Sequence, residues 1–214
     1  GKGISIVEDY AVNIDTNLMK VRTASGLVIQ YSQLVLSTGA VPQDLGVPGV
    51  HEYACNFNSL DDVIHLRRLI QLGKKYKKMQ QPWVIVGGGA TGVELACKMA
   101  ELLSDHIKIH LFEIADRVLP QGKSFNQQQA QESLAKAGIT THLKTRVLSL
   151  SKDLVNFITL SDEEDSITSL NYSQLIWTVG TRPVLPEFSP DIELTKGRLP
   201  INKFLQVIGL ENIL

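Results

Sequence analysis

Apolar and polar positions change period several times along this chain, and each change marks a new element. Trp83 to Val86 is a continuous, largely β-branched apolar run that ends in three glycines. Val93, Ala96, Cys97, Ala100 and Leu103 then recur at helical spacing. That order predicts a buried strand, a tight turn and a helix beginning near Ala90. A second strand, Ile107 to Phe112, follows the turn Ser104-Asp105-His106; a helix over Asn126 to Ala137, ended by Gly138, leads to a strand at Ile139 to Leu143. Successive β-α-β steps of this kind predict a doubly wound parallel sheet.

Ahead of this unit the pattern shortens. Gly3 to Glu8, Leu18 to Arg22 and Leu27 to Gln30 alternate as the strands of an antiparallel meander do, and Gln33 to Ser37 reads as a buried strand stopped by Thr38-Gly-Ala-Val-Pro42. Leu60 to Leu72 carries apolar residues on one helical face, with Asp61 and Asp62 in its first turn and Lys74, Lys75, Lys77 and Lys78 past its end, an order that suits the helix dipole. Beyond the parallel unit, strands are expected at Arg146 to Ser149, Leu154 to Leu160 and Leu175 to Val179, with the acidic run Ser161 to Ser166 as an exposed hairpin turn.

Composition narrows the function more by exclusion. At 214 residues, with 43% hydrophobic and 20% charged residues and a net charge of −1, the chain has the make-up of a soluble globular protein of one large or two small domains. There is no basic excess to suggest nucleic acid, and the lysine group reads as a solvated helix end. No apolar stretch is long enough to span a bilayer and no secretory pattern opens the chain, so a cytoplasmic body is expected. Cys55 and Cys97 have neither redox-pair nor zinc spacing and read as reduced, packed thiols. The close pair His106 and His110 lacks a common helical face and reads as surface or packing residues; no metal site is expected.

The candidate chemistry lies at the glycines. Gly87, Gly89 and Gly92 supply G-x-G-x-x-G between a strand and a helix, with Gly88, Ala90 and Thr91 completing the turn. In that arrangement the first glycine allows the turn, the second lets backbone approach a pyrophosphate, and the third lets helix pack closely on strand. Free N–H groups at the helix start then face the phosphates. Glu113 closes the next strand about twenty residues on, where an acid accepts from a ribose hydroxyl. Its alternative reading is a solvated strand-end carboxylate. A carboxylate there disfavours a 2′-phosphate, so NADH is expected over NADPH, although Arg117 nearby weakens the preference.

Two matching phrases flank this unit: Leu34-Val-Leu-Ser-Thr-Gly-Ala-Val-Pro42 and Leu175-Ile-Trp-Thr-Val-Gly-Thr-Arg-Pro183. They resemble the strand ends by which flavoproteins of the pyridine nucleotide-disulfide oxidoreductase superfamily pass between an FAD domain and an inserted nicotinamide domain. Within that superfamily the chain looks most like a type II NADH dehydrogenase, on the phrases Gly87 to Ala96, Phe112 to Pro120, Ile176 to Gly180 and Leu199 to Val207. The resemblance implies an α/β fold: a Rossmann-like nicotinamide domain at 56–184, parallel sheet with helices plus a β-meander, flanked by FAD-domain pieces at 1–55 and 185–214.

It further implies hydride transfer from NADH to FAD and electron delivery to a quinone. Glu94 would lie near the nicotinamide and the flavin edge, its alternative being a first-turn helix acid; Gly180 would border the nicotinamide, and Thr38 and Gly39 would contact FAD. The first FAD-binding glycine unit and the late Gly-Asp motif of such families are absent, so the chain reads as an internal fragment, inactive alone, of an enzyme whose membrane contacts lie elsewhere. Open strand edges between Ile4 and Ser37 invite homodimer pairing. Rival readings are a related FAD-dependent disulfide or ferredoxin reductase, or an NADH-sensing module without catalysis.

Overall fold

The structure, a computed structural model, describes residues 3–75, 81–103, 107–160 and 166–214. In chain order the elements are β1 (Ala11–Asp15), β2 (Lys20–Thr23), β3 (Val28–Gln30), β4 (Ala40–Pro42), α1 (Val50–Tyr53), β5 (Cys55–Asn56), α2 (Leu60–Lys75), β6 (Trp83–Val86), α3 (Ala90–Leu103), β7 (Ile109–Phe112), α4 (Ser124–Lys136), β8 (Thr140–His142), β9 (Thr145–Leu150), β10 (Leu154–Thr159), β11 (Ile167–Asn171), β12 (Gln174–Trp177), β13 (Thr181–Pro183) and β14 (Glu187–Ser189). They fall into two compact units, one over residues 42–180 and one joining 1–41 to 181–214. The division expected from sequence falls after residues 55 and 184.

In the 42–180 unit five parallel strands lie in the order β5-β12-β6-β7-β8. The central strand β6 is buried at all of its positions, which is why it reads as an unbroken apolar run. Trp83, Ile85, Ile109, Leu111 and Ile176 face the helices, packing with Leu66 of α2, Ala96 and Met99 of α3 and Leu134 of α4. Val84, Val86, Phe112, Leu175 and Trp177 face the other way, against Val147, Leu150, Val155 and Phe157. Those last residues belong to an antiparallel meander ordered β11-β10-β9. Helices α2, α3 and α4 cover one face and the β-meander expected from the family resemblance covers the other, so the sheet is not wound with helices on both sides as the β-α-β steps alone suggest. Strands whose residues alternate between two apolar layers cannot say from sequence which layer is helical.

Local signals explain the element ends. At the start of α2, Ser59 Oγ accepts from the Asp62 N–H at 3.2 Å while the Asp62 carboxylate accepts from the N–H groups of Asn58 and Ser59 at 2.9 and 2.8 Å, a capping box. Helix α4 ends at Gly138, φ 69°, whose N–H donates to the Ala135 carbonyl while Ile139 N–H donates to that of Leu134. This pairing is the Schellman motif, which needs a left-handed residue and so a glycine. The acidic run 161–165, the lysines 77 and 78 and the turn 104–106, with His106, lie outside the described residues.

In the other unit a sheet is ordered β14-β1-β2-β3, with β1 and β14 parallel and the other pairs antiparallel. Two expected strands differ. Gly3 to Glu8 pairs with no strand and is exposed, and the first strand is instead Ala11–Asp15, whose Ile14 enters the small core with Phe188, Val207 and Ile213. Both segments alternate, and pairing with β14 selects the second. Gln33 to Ser37 forms no regular strand. Its backbone pairs in a parallel bridge with the segment around Ile213, Leu34 N–H donating to Asn212 O at 2.9 Å and Leu36 N–H to Leu214 O at 2.7 Å.

Candidate functional site

The glycine turn is built by contacts that select glycine at three positions and leave a fourth free. Gly87 leaves β6 with φ 109°, and a Cβ there would meet Thr178 Oγ1 at 2.9 Å and Thr178 O at 3.0 Å. Thr178, at the end of β12, ties the two strand ends together: its N–H donates to Val86 O at 2.9 Å and its hydroxyl to the same oxygen at 2.8 Å. A Cβ on Gly88 would stand 2.9 Å from Glu113 Cβ. A Cβ on Gly92, in the first turn of α3, would overlap the carbonyl oxygen of Gly87. At Gly89, by contrast, a Cβ would meet nothing within 4 Å, and the residue is exposed. The opening over Gly89, beside the exposed Ala90 and Thr91 at the helix start, is where backbone can receive an anionic group.

Glu113 is 8% exposed, and both carboxylate oxygens are engaged by backbone. Gly88 N–H donates to Oε2 at 2.6 Å and Ala115 N–H to Oε1 at 2.8 Å. The carboxylate is thereby fixed at the turn and is no solvated strand end. Beside it opens a cavity of about 260 Å³. Val86, Gly87, Phe112 and Ile114 line it with Glu113, and Arg146 is the one cation on its wall among the described residues. Arg117, expected from sequence to bear on this site, gives its guanidinium to Asp116 instead, in two hydrogen bonds of 2.8 Å. Its hydrogen bond to Arg117 holds the Asp116 carboxyl below the usual range. A largely apolar cavity with one fixed carboxylate on its wall has the make-up of a nucleoside site, where ribose hydroxyls would meet the acid.

The remaining candidates sit elsewhere. Thr91 lines a separate hollow of about 410 Å³ with Phe57, Asn58, Ser59 and Val63. Glu94 is exposed one turn further along α3, three residues after Thr91 and so toward the same side of the helix. Gly180 is exposed with φ 59°, and a Cβ there would lie 2.8 Å from Gln43 Nε2. Thr38 and Gly39 belong to the other unit, where they line a cavity of about 490 Å³ with Leu36, Ser37, Arg198 and Leu214. Gly39 has φ 73° and open space where a Cβ would be, as a close backbone approach to a ligand requires. Sequence reasoning had not marked Thr178 or Arg146 as site residues. Thr178 stood inside a motif already noticed; nothing in the spacing distinguished Arg146 from other strand-edge cations.

The chain is similar to several known proteins. The chain is 31% identical over 188 residues to demethylphylloquinone reductase of Synechocystis, covering 86% of this chain and 45% of that protein. It is 28% identical over 211 residues to the mitochondrial external alternative NADH-ubiquinone oxidoreductase of Yarrowia lipolytica, covering 86% and 36%. The chain thus spans less than half the length of these relatives. Among solved structures it superposes on NDH2 from Plasmodium falciparum in complex with NADH with a TM-score of 0.82 at 20% identity, covering 97% of this chain and 48% of that one. The ferredoxin reductase from Rhodopseudomonas palustris gives 0.65 at 26% identity, covering 83% and 42%. The family model of pyridine nucleotide-disulphide oxidoreductases matches residues 1–214 from end to end, and this chain belongs to that family.

Proposed function

We propose that the 42–180 unit binds NADH in a flavin-dependent enzyme that passes electrons on to a quinone. The observation that carries the reading is the Glu113 carboxylate locked onto the Gly88 amide at the edge of an apolar cavity, with the open side of Gly89 next to it. Adenosine would occupy the cavity, its ribose hydroxyls donating to Glu113. The pyrophosphate would pass over Gly89 to the N–H groups at the start of α3, and the nicotinamide end would reach the side of α3 that carries Thr91 and Glu94. Preference for NADH over NADPH follows from placing a fixed carboxylate where a 2′-phosphate would lie.

The unit joining 1–41 and 181–214 would hold part of FAD, with Thr38 and Gly39 on the wall of its cavity. When bound, the flavin supplies the redox chemistry, accepting hydride and releasing electrons to the quinone. This chain's residues bind, orient and exclude water; no side-chain nucleophile or base is required. Quinone as acceptor is supported by the names of the relatives. Likeness to a ferredoxin reductase favours a second reading, in which the acceptor is a protein. Among the described residues no helix is long and apolar enough to cross a membrane.

Calorimetric titration with NADH and NADPH tests the binding reading. Binding of NADH that weakens at least tenfold in Glu113→Gln is expected, and equal affinity of the variant would remove Glu113 from the site. Full-length enzyme assayed with a quinone against ferredoxin separates the two acceptors.

A further inference from the structure

Strand β6, from which the glycine turn departs, lies between β12 and β7 in the parallel sheet, and each neighbour is followed by a polar residue that reaches the turn. Thr178 follows β12 and Glu113 follows β7. Side chains alternate here: Trp177 and Val179 line the cavity beside Glu113, so Thr178 between them turns to the opposite face. Its Oγ1 lies 2.8 Å from Val86 O and 3.2 Å from Gly87 O, so one hydroxyl hydrogen is shared between two successive carbonyls. The same oxygen stands 2.9 Å from where a Cβ on Gly87 or on Gly92 would be, which places it under the turn, between the strand end and the start of α3.

The second of those carbonyls decides how a peptide is oriented. Gly87 C=O and Gly88 N–H belong to one trans peptide, whose two groups point in opposite directions. The carbonyl accepts from Thr178 at 3.2 Å and the N–H donates to Glu113 Oε2 at 2.6 Å. One peptide plane is therefore gripped from both sides, by the hydroxyl from the β12 side and by the carboxylate from the β7 side. With glycine at both ends of that peptide, no local side chain holds the plane.

We infer that Thr178 is a positioning residue for the nucleotide: its hydroxyl fixes the Gly87–Gly88 peptide so that the Gly88 N–H holds the Glu113 carboxylate where a ribose meets it, a role that rests on the nucleotide site proposed above. A hydrogen bond accepted at the carbonyl polarises the peptide and makes its N–H a stronger donor. Were the plane to turn over, the Gly87 carbonyl would face the Glu113 carboxylate, acceptor against acceptor. The hydroxyl opposes that state, because it would lose one of its own acceptors. Glu113 keeps its second bond, from Ala115 N–H at 2.8 Å, so removal of the hydroxyl loosens the acid without freeing it. A loosened carboxylate accepts less well from a 2′-hydroxyl and repels a 2′-phosphate less, so NADH loses more than NADPH.

Thr178→Ser and Thr178→Ala lose the same methyl and differ only in the hydroxyl, and both keep the backbone bond from the N–H of residue 178 to Val86 O that joins the strands. In the nucleotide-free 214-residue chain the Gly88 amide proton, read by heteronuclear NMR, should stand far downfield in wild type and Thr178→Ser and move upfield in Thr178→Ala. In calorimetric titrations NADH should weaken about fivefold in Thr178→Ala, the worth of one ordinary hydrogen bond, and stay within about twofold in Thr178→Ser, while NADPH changes by less than about twofold in either. Thr178→Ala should add nothing to the loss in Glu113→Gln, because the two groups act through one peptide. A wild-type Gly88 proton at an ordinary shift overturns the proposal before any variant is made. Equal losses in the two Thr178 variants, or equal weakening of NADH and NADPH, mark a packing role and also overturn it. If wild type binds neither nucleotide, the nucleotide site falls and the positioning role with it; if wild type binds NADH and Thr178→Ala binds it equally well, only the positioning role falls.

Discussion

The carboxylate of Glu113 accepts the amide hydrogen of Gly88 at 2.6 Å, so the acid ending one strand is tied to the turn ending its neighbour. A second amide, Ala115, holds the other oxygen at 2.8 Å. Such charge-assisted bonds pre-orient the group, and a ribose can engage its remaining lone pairs without ordering a free side chain. Glu113→Gln keeps the shape but turns an N–H₂ toward one of the two amides. We expect NADH affinity to fall at least tenfold, equal to about 1.4 kcal/mol, with the fold retained. Titration calorimetry beside circular dichroism checks both halves.

Gly89 and Gly92 separate ligand contact from packing. A methyl at position 92 would overlap the Gly87 carbonyl, so Gly92→Ala must push α3 off the turn; a loss of several kcal/mol is expected, of the order seen for overpacked cores. A methyl at position 89 meets no protein atom, so Gly89→Ala should leave the melting temperature within a degree or two, about what a small surface change gives. It should nonetheless weaken NADH binding strongly, because the methyl stands where backbone would approach the pyrophosphate. A Gly89→Ala chain that binds NADH normally would place the pyrophosphate elsewhere.

How far the sequence was legible depended on whether the signal was local. The turn from Gly87 to Gly92 follows from chain connectivity alone, and the capped helix α2 and the Gly138 stop of α4 are written in neighbouring residues. What failed needed a distant partner. Ala11–Asp15 and Gly3 to Glu8 alternate alike, and only pairing with β14, far along the chain, makes one a strand. Gln33 to Ser37 is held by residues 212–214 and not by a neighbouring hairpin. The same limit applies to the candidate residues: the place of Glu113 at the end of β7 follows from its spacing, whereas Thr178 follows β12, the last strand of the parallel sheet, and Arg146 comes from β9 of the separate meander.

The Asp62 capping box gives a pH signature. Burial alone would raise the Asp62 pKa, but hydrogen bonds from Asn58 and Ser59 outweigh it and hold the carboxyl below its usual value of 3.8. A folded pKa below the unfolded one means that the unfolded chain binds more protons in between. The contribution is therefore complete above about pH 5 and lost as pH falls through 3.8 toward the folded value. Asp62→Ala should cost about 1 kcal/mol at neutral pH, the usual worth of such a cap. The cost should shrink on acidification, as urea unfolding at pH 7 and pH 3.5 would show; an equal loss at both would assign it to packing.

Arg146 lets the proposed preference for NADH be dissected. Arg117 is spent on Asp116, which leaves Arg146 as the cation on the wall of the Glu113 cavity among the described residues. A 2′-phosphate placed there meets repulsion from Glu113 and attraction from Arg146, whereas the 2′-hydroxyl of NADH meets a hydrogen-bond acceptor and is indifferent to the cation. Arg146→Ala should therefore weaken NADPH several-fold while NADH changes little, and the gap should narrow as salt is raised, because the site is partly open to solvent. Glu113→Gln moves the ratio the opposite way by removing the repulsion. In the double variant the two nucleotides should bind with nearly equal, weak affinity, since neither charge remains to tell them apart. Competition titrations at low and high salt measure these ratios directly. Equal weakening of both nucleotides by Arg146→Ala would assign the guanidinium to the pyrophosphate or to the cavity wall, and the preference would then rest on Glu113 alone.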